Sequence, residues 1–230
     1  MLTDARPRRQ YRQVADQILG LASGQGLGPG ARLPSERDLA EQLGVSRPSL
    51  REALIALEVE GHVEIRMGSG VYLGARPPEP GADQTGESPL ELLQARCIIE
   101  SAIAEEAARR ATPDLIARLD RNLAEMGAAV HDTPVAIRTD GEFHITLASG
   151  IGNAVLGSLT ENIYARRLSP LFAQFSTHFE GPRTWRLALA EHGAIRDAIA
   201  EGDPAAAREA MRHHLTESQR RFIEGRLFER

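Results

Sequence analysis

Between residues 32 and 73 the spacing of apolar positions changes from helical periodicity to strand-like alternation. Leu39 and Leu43 lie one turn apart, and Leu50 and Leu54 repeat that spacing a few residues later. Apolar residues three and four apart form one stripe of an amphipathic helix. From Val63 onward, apolar and polar residues alternate on either side of a glycine-rich tetrapeptide, which is typical of a β-hairpin. The pattern therefore predicts two short helices followed by a hairpin.

Capping residues define the limits of the two helices. Ser35 and Ser46 occupy N-cap positions, and Gly44 follows the first helix as a C-terminal stop. Only Val45 separates Gly44 from the second cap. Two amphipathic helices with so short a joint must cross steeply, which is the geometry of a helix-turn-helix. With the hairpin as its wing, this segment is predicted to be a winged helix-turn-helix.

The placement of arginines points to DNA. Arg47 and Arg51 lie one turn apart at the start of the second helix, where a recognition helix presents side chains to base edges in the major groove. The N-terminus of that helix also offers free N–H groups to a phosphate. The alternative is a protein-binding winged helix with solvated arginines. The candidate DNA-binding residues are Arg37, Ser46, Arg47, Arg51, Arg66 and Gly68.

The rest of the chain is predicted to be a linker and a helical domain. Residues 77–88 are rich in proline and glycine and lack an apolar pattern, so we expect domains at 1–76 and 89–230. Thr112, Thr133 and Asp203 are predicted N-caps, each followed by a proline at the first helical position, and Asn153 is a further cap candidate. Pro170 should kink or split one helix. The fold class is mainly α, with an all-α bundle of about six helices, predicted at about 89–110, 113–129, 134–149, 153–178, 184–201 and 204–224.

Charge and cysteine content restrict the function classes only partly. The chain has 230 residues and a net charge of −5, divided into about +1 for residues 1–76 and −6 for residues 77–230. All 27 basic residues are arginine, so their abundance is a compositional bias and only their placement is informative. Cys97 is the single cysteine, and no segment has the length and apolarity of a membrane span or signal peptide. We expect a cytoplasmic protein that does not contact a membrane.

Four residues of the helical region have the chemistry of a metal site. Asp140 and His144 are four residues apart on one helix face, and His192 and His214 lie on the apolar stripes of two later helices. One carboxylate and three imidazoles suit a divalent first-row metal: zinc first, with nickel and manganese as alternatives. Spacing alone leaves open a local hydrogen bond between the first two residues and ordinary core histidines elsewhere. The remaining histidines, His62, His131, His178 and His213, are interpreted as structural or surface residues.

The N-terminal segment carries a dense series of short motifs: Pro29–Gly30, L-P-S-E-R at 33–37, V-S-R-P-S-L-R-E-A-L at 45–54, L-E-x-E-G at 57–61 and G-S-G-V at 68–71. With these motifs the segment resembles the GntR family of bacterial transcription regulators. The resemblance implies that Arg37, Arg47 and Arg51 contact DNA, as the matching arginines of the family do. Wing-tip residues of the family enter the minor groove, where this chain has Met67 in place of a more polar residue.

The C-terminal region carries four further motifs: R-x-x-x-E at 96–100, D-x-x-F-H at 140–144, H-x-x-I-x-x-A-I-x-x-G-D at 192–203 and A-M-R-x-H-L at 210–215. In these motifs the region is similar to the FCD ligand-binding domain of the FadR subfamily. That resemblance implies a metal held by Asp140, His144, His192 and His214, beneath a cavity for a small molecule. Arg96 would face a carboxylate effector, although it could instead pair with Glu100 one turn away. Asn162 is a second candidate effector contact.

These observations predict a metabolite-responsive transcription regulator and not an enzyme. We expect a repressor that binds an inverted repeat of double-stranded DNA as a homodimer, with operator affinity modulated by a small organic acid bound over the metal. The alternative is a metal-dependent hydrolase with an appended DNA-binding head, in which Glu142 would serve as general base. Glu142 lies two residues from Asp140, on the opposite side of the helix, which weakens that alternative.

Overall fold

The computed structural model describes residues 10–66, 68–74, 88–167 and 169–224. Contacts divide the chain into two compact units. The first contains the described residues up to Leu90, the segment Pro170–His178 and residues 223–224. The second contains Glu91–Ser169 and Phe179–Phe222. The predicted linker at 77–88 lies outside the described residues except for Ser88, and Met67 also lies outside them.

The first unit is built on a winged helix-turn-helix, as predicted. Ser35 and Ser46 each accept a backbone N–H as N-caps, and Gly44 ends its helix in the left-handed conformation at φ 64°. A preceding helix was not predicted, although its Tyr11, Val14 and Ile18 are buried at helical spacing. The elements are α1 (Gln10–Gly24), α2 (Glu36–Leu43), α3 (Arg47–Val59), β1 (Val63–Arg66) and β2 (Gly70–Leu73).

A third stretch of chain is hydrogen-bonded to the antiparallel hairpin of β1 and β2 that forms the wing. The N–H of Leu33 donates to the carbonyl of Val71 at 2.8 Å, and the N–H of Leu73 donates to the carbonyl of Ala31 at 2.8 Å. The chain before α2 therefore runs along the outer edge of β2, so that part of this edge is already paired. At Gly70, φ is 127°, and a side chain there would meet the guanidinium of Arg32.

Seven helices follow the wing within the described part of the chain. Their boundaries agree with the predicted ones to within a few residues, and Pro170 begins a separate helix, as its position in the pattern predicted. The N-cap of the third is Asp132 and not Thr133, since the Asp132 carboxylate accepts the N–H of Val135. The helices are α4 (Pro89–Arg109), α5 (Pro113–Ala128), α6 (Thr133–Gly150), α7 (Ala154–Arg166), α8 (Pro170–Phe179), α9 (Pro182–Ala200) and α10 (Pro204–Glu224).

The start of α4 is attached to the recognition helix. Ser88 donates its hydroxyl to the carboxylate of Glu52 at 2.7 Å, and the N–H of Leu90 donates to the same oxygen at 2.7 Å. Glu52 is buried and lies on α3. An acidic side chain at a helix N-terminus satisfies free N–H groups and interacts favourably with the helix dipole.

The core of the second unit holds four helices in place around a polar centre. Ile103 of α4, Phe143 of α6, Ile195 of α9 and Met211 of α10 belong to one buried apolar cluster. The same four helices each turn at least one polar side chain inward, and this convergence forms the site described below. Within the described ranges, no helix is both long enough and apolar enough to span a membrane.

Candidate DNA interface and metal centre

The start of the recognition helix exposes two of the predicted arginines. Arg47 is the first residue of α3 and is exposed, directly after the N-cap Ser46. Arg37, on α2, keeps 77% of its side chain exposed, and its nearest carboxylate, that of Asp38, lies 3.7 Å away. Both guanidinium groups are therefore accessible for bidentate contact with guanine or for contact with phosphate.

Arg51 differs from the other two arginines because its side chain is buried. Its Nε lies 2.8 Å from Oε1 of Glu36, and its Nη2 donates to Oε2 of the same carboxylate at 3.1 Å. Glu36 is the first residue of α2 and is itself buried. This ion pair links the two helices of the helix-turn-helix. Sequence spacing did not predict it, since the two residues belong to different helices.

The wing carries the fourth of the arginines predicted to bind DNA. Arg66 donates two hydrogen bonds to Glu64, at 2.9 and 2.8 Å, and its guanidinium lies 4.3 Å from the ring centre of Tyr72. Hydrogen bonding to Glu64 raises the pKa of Arg66. Gly68 turns the chain at φ 70°, which a glycine adopts without strain. Arg66 is thus positioned near the tip, with its charge shared with a neighbouring carboxylate.

The four residues predicted to bind a metal converge in the second unit. Asp140 and His144 of α6, His192 of α9 and His214 of α10 place one ligand atom each within 4.8 Å of one another. The two Nε2 atoms of His144 and His192 are 3.0 Å apart. Oδ1 of Asp140 lies 3.6 Å from Nε2 of His192 and 4.0 Å from Nε2 of His144. All four side chains are buried.

Two carboxylates orient the histidine rings from outside the cluster. Oε2 of Glu100 lies 2.6 Å from Nδ1 of His144, and Oε2 of Glu191 lies 2.8 Å from Nδ1 of His214. A proton on Nδ1 of His214, donated to Glu191, leaves Nε2 as the lone-pair nitrogen that faces the centre, and the nearby charge of Glu100 favours the same tautomer of His144. This is the arrangement that histidine ligands of metals commonly show.

The protonation states also fit a metal. Burial lowers the pKa of His192 well below its ordinary value, with further lowering by His214 and His144. Burial likewise lowers the pKa of His214, against the raising effect of Glu191. Burial alone would raise the pKa of Asp140, but the charge of Arg167 leads the opposing contributions, and that pKa is held well below its ordinary value. Neutral imidazole and ionised carboxylate are the forms that bind a divalent cation.

Arg96 lies beside this cluster, fully buried and already paired. Its Nε donates to Glu100 at 2.8 Å, its Nη2 contacts the hydroxyl of Tyr164, and the Tyr164 ring centre lies 4.4 Å from the guanidinium. Burial opposes its charge, but Glu100 and Tyr164 more than compensate and raise its pKa. The pKa of Glu100 is held at about 2: burial raises it, and Arg96 and His144 lower it more strongly. The pairing with Glu100 considered from the sequence is therefore present, next to the predicted metal ligands.

Asn162 does not join the site, and its prediction as an effector contact needs correction. The residue is exposed on α7, and its amide donates to the carbonyl of Ser158 at 2.7 Å. The face of α7 that turns inward carries Thr160, Ile163 and Tyr164. The sequence could not fix the rotation of this helix, because its apolar stripe is interrupted by polar residues.

A cavity of about 290 Å3 lies between α6 and α7 on the flank of the cluster. Its lining is largely apolar and includes Gly141, Ile145, Tyr164 and Arg167. Glu142 also lines it but pairs with Arg138 at 2.6 Å on the outer face of α6, so it does not point towards the four ligands. The proposed general base of the hydrolase alternative is thus absent from the centre formed by the described residues.

Several residues of the site were missed by sequence reasoning. Tyr164 and Arg167 lie on α7 and at its C-terminus, and Glu191 stands next to His192 in sequence but orients His214 on another helix. One signal was available: Gly141 interrupts a buried helix, and a Cβ at this position would lie 3.0 Å from Cδ1 of Tyr164. A glycine within a helix often marks such a close approach.

Comparison with known proteins identifies the family of both regions. The family model of bacterial regulatory proteins of the gntR family matches residues 10–73, and the FCD domain model matches residues 91–217, more than half of the chain. The chain belongs to the GntR family and carries an FCD domain. It is therefore a DNA-binding transcription regulator, as its helix-turn-helix predicted.

Related regulators match this GntR-family chain over most of its length. It is 34% identical over 226 residues to the Uxu operon transcriptional regulator of Escherichia coli K12, covering 94% of this chain and 88% of the relative. It is 33% identical to a putative L-lactate dehydrogenase operon regulatory protein of the same organism, over 91% of this chain and 85% of the relative. Among solved structures, the Streptococcus agalactiae GntR has a TM-score of 0.50 at 31% identity, covering 91% of this chain and 99% of that one.

Proposed function

We propose that this regulator is a homodimeric repressor whose affinity for its operator is modulated by a small carboxylate bound over a divalent metal ion. The observation that carries the proposal is the buried cluster of Asp140, His144, His192 and His214, within 4.8 Å of one another. Three buried imidazoles facing one carboxylate are costly to bury without a common partner. A cation bound by all four would satisfy them.

Zinc is the ion that we expect first, with nickel and manganese as alternatives, because three imidazoles and one carboxylate suit each of them. The residues that would hold it are the four of the cluster. Once bound, the ion would supply a positive charge and open coordination positions to an oxygen ligand. Glu100 and Glu191 would keep two of the imidazoles oriented.

The charges around the cluster favour an anionic effector. Four carboxylates meet three guanidinium groups there: Asp140, Glu100, Glu180 and Glu191 against Arg96, Arg167 and Arg221. With the three histidines counted as the neutral imidazoles that bind a metal, this group has one excess negative charge, which a bound divalent cation would turn into one excess positive charge. A monocarboxylate then restores neutrality in a low-dielectric interior.

The names of relatives agree with a small organic acid. One relative is named as the regulator of an operon for L-lactate dehydrogenase, whose substrate is a 2-hydroxy acid. A hydroxy acid offers a carboxylate and an adjacent hydroxyl, which can both coordinate one metal ion. We infer a 2-hydroxy acid as the effector class, with Arg96, whose Nη2 lies 3.4 Å from Nε2 of His144, as the guanidinium that would face its carboxylate.

Two heads of a symmetric dimer would read an inverted repeat. In each head, the exposed side chains of Arg37 and Arg47 could contact the bases. The N-terminus of α3, which Ser46 caps, would bind a phosphate. An effector can change operator affinity only through a difference in its binding to two arrangements of the dimer.

The proposal is tested by metal analysis with a matched pair of variants. His213 is exposed and directly precedes the buried His214. Purified protein should carry about one divalent ion per chain. His214→Ala should lose it and also lose the thermal stabilisation that added zinc produces, whereas His213→Ala should keep both. Absence of metal from the parent protein, with no thermal shift on adding zinc, nickel or manganese, would refute the metal site.

The effector class is tested on the metal-loaded protein by thermal shift. Small 2-hydroxy acids should raise the melting temperature, and the matching amides should not, because they lack the charge. The shift should vanish after metal removal. Stabilisation by neutral amides as strong as that by the acids would contradict a carboxylate effector.

A further inference from the structure

A single arginine joins the predicted metal ligand to the segment that leaves the second unit. Arg167 follows the last residue of α7 and is buried. We infer that Arg167 is a positioning residue that ties Asp140 to Glu180, so that Arg167 and Glu180 pair across the residues that flank α8. The inference rests on the proposed metal site and assigns a task to a residue outside the ligand set.

The geometry divides the carboxylate of Asp140 between two partners. Nη1 of Arg167 contacts Oδ2, whereas Oδ1 faces Nε2 of His192 and of His144. The same guanidinium donates from Nη2 to Oε1 of Glu180 at 2.8 Å. Arg167 therefore bridges two carboxylates, one of which belongs to the predicted ligand set.

The ion pair of Arg167 and Glu180 joins residues on either side of α8. Arg167 precedes α8, and Glu180 is the first residue after it. Their ion pair holds together the two points where the chain departs into α8 and returns from it. The segment between them, Pro170–His178, belongs to the first compact unit, while the flanking residues belong to the second.

Within the first unit this segment reaches the DNA-reading elements. Gln174 donates its amide to Oε2 of Glu58 at 3.0 Å, near the end of the recognition helix α3. The other oxygen of Glu58 accepts the N–H of Ile65 in β1 at 2.9 Å. One carboxylate thus contacts both α8 and the first strand of the wing.

A charge effect follows from the shared carboxylate. Positive charge beside Oδ1 of Asp140 weakens the attraction of that carboxylate for Arg167 and repels the guanidinium. The interaction of Arg167 with Glu180 is then the stronger of its two ion pairs. Metal binding to the cluster should therefore strengthen the ion pair of Arg167 and Glu180 and slow the local opening of the segment Pro170–His178 that lies between them.

The test is hydrogen exchange on the full-length protein, loaded with zinc or stripped with a chelator. In the parent, zinc should slow exchange of amides between residues 169 and 180 by about fivefold or more, the lower end of the range for coupled sites. Glu180→Gln removes the ion pair between Glu180 and Arg167 and leaves the four predicted metal ligands and Arg167 unchanged. This variant should bind zinc with the parental stoichiometry and lose the zinc-dependent protection of the segment.

Three further variants separate positioning from general structural damage. Arg167→Lys keeps a positive charge and should retain part of the protection, whereas Arg167→Gln should abolish it and still bind zinc, because no guanidinium then competes with the ion for Asp140. Arg138→Gln breaks an exposed ion pair with Glu142 on the same helix as Asp140 and should behave as the parent in every measurement.

The outcomes distinguish this inference from the proposed function. If the parent binds no zinc, the metal proposal fails. If the parent binds zinc but exchange between residues 169 and 180 is unchanged, the inference about Arg167 is overturned while the metal site stands. Equal zinc-dependent protection in Glu180→Gln and the parent would overturn it as well.

Discussion

Nε of Arg51 lies 2.8 Å from Oε1 of Glu36, and both side chains are buried between the two helices of the helix-turn-helix. The guanidinium predicted to read bases is thus held by a carboxylate that fixes its direction. Arg47, one turn earlier on the same helix, is exposed. The two arginines of one recognition helix therefore differ in what each contributes to stability and to DNA binding.

Substitution should separate these two contributions. Arg51→Ala leaves Glu36 buried without this charge partner and should lower the free energy of unfolding by about 3–5 kcal/mol. Arg47→Ala should leave that free energy within about 0.5 kcal/mol of the parent and weaken specific binding by about 1–3 kcal/mol, with little effect on random DNA. Urea unfolding and competition binding measure the two quantities. Equal losses of stability in the two variants would contradict this division.

The carboxylates behind the histidines should control metal affinity without binding the metal. Glu191→Gln removes the charged acceptor of the His214 Nδ1 proton and should lower zinc affinity by about 10–100-fold. Glu142→Gln, on the outer face of α6, is the matched control and should leave the affinity unchanged. Competition with a chromogenic chelator gives both values. An affinity of Glu191→Gln equal to that of the control would leave Glu191 with no orienting role.

The metal-free protein should lose stability as the pH falls. The pKa of His192 and that of His214 are lowered by burial, so below about pH 6.5 the unfolded chain binds protons that the folded protein does not. Each histidine then reduces the free energy of unfolding by up to about 1.4 kcal/mol per pH unit. Glu100 and Glu191, each with a pKa of about 2, add a further loss between about pH 4.5 and 2. Urea unfolding between pH 7.5 and 5.5 tests the first part, and a flat profile there would contradict it.

Variants of Arg96 and Asn162, the two residues predicted from the sequence to contact the effector, test those contacts. Asn162→Ala should leave the carboxylate-induced thermal shift unchanged, because the side chain is exposed and bonded to its own helix. Arg96→Lys keeps a charge opposite Glu100 but loses the bidentate geometry of a guanidinium, and should reduce the shift. A reduced shift in Asn162→Ala would restore that residue to the site.

The elements most accurately predicted were those defined by local patterns. Ser46, Asn153 and Pro170 each marked a helix boundary that the structure confirms, because capping and helix breaking depend on a few neighbouring residues. The convergence of Asp140 with His144 also follows from their i,i+4 spacing. Helix α1 was not predicted, because the residue before it, Arg9, is not one that typically caps a helix N-terminus.

What could not be predicted depends on contacts between distant segments. Glu191 orients His214 although they are on different helices, and no spacing rule relates them. The grouping of Pro170–His178 with the DNA-binding unit depends on tertiary contacts. The orientation of Asn162 failed for a related reason: a weakly amphipathic helix does not specify which side faces inward.

The attachment of α4 to Glu52 limits how this regulator can be recombined with its relatives. A chimera joined within the linker would take Glu52 from one parent and Ser88 and the start of α4 from another. The hydrogen bonds of Glu52 to Ser88 and Leu90 would then depend on two sequences that were never selected together. Exchange of the DNA-reading module between regulators should succeed more often when the junction is placed after Leu90. Glu52, Ser88 and Leu90 then come from the same parent.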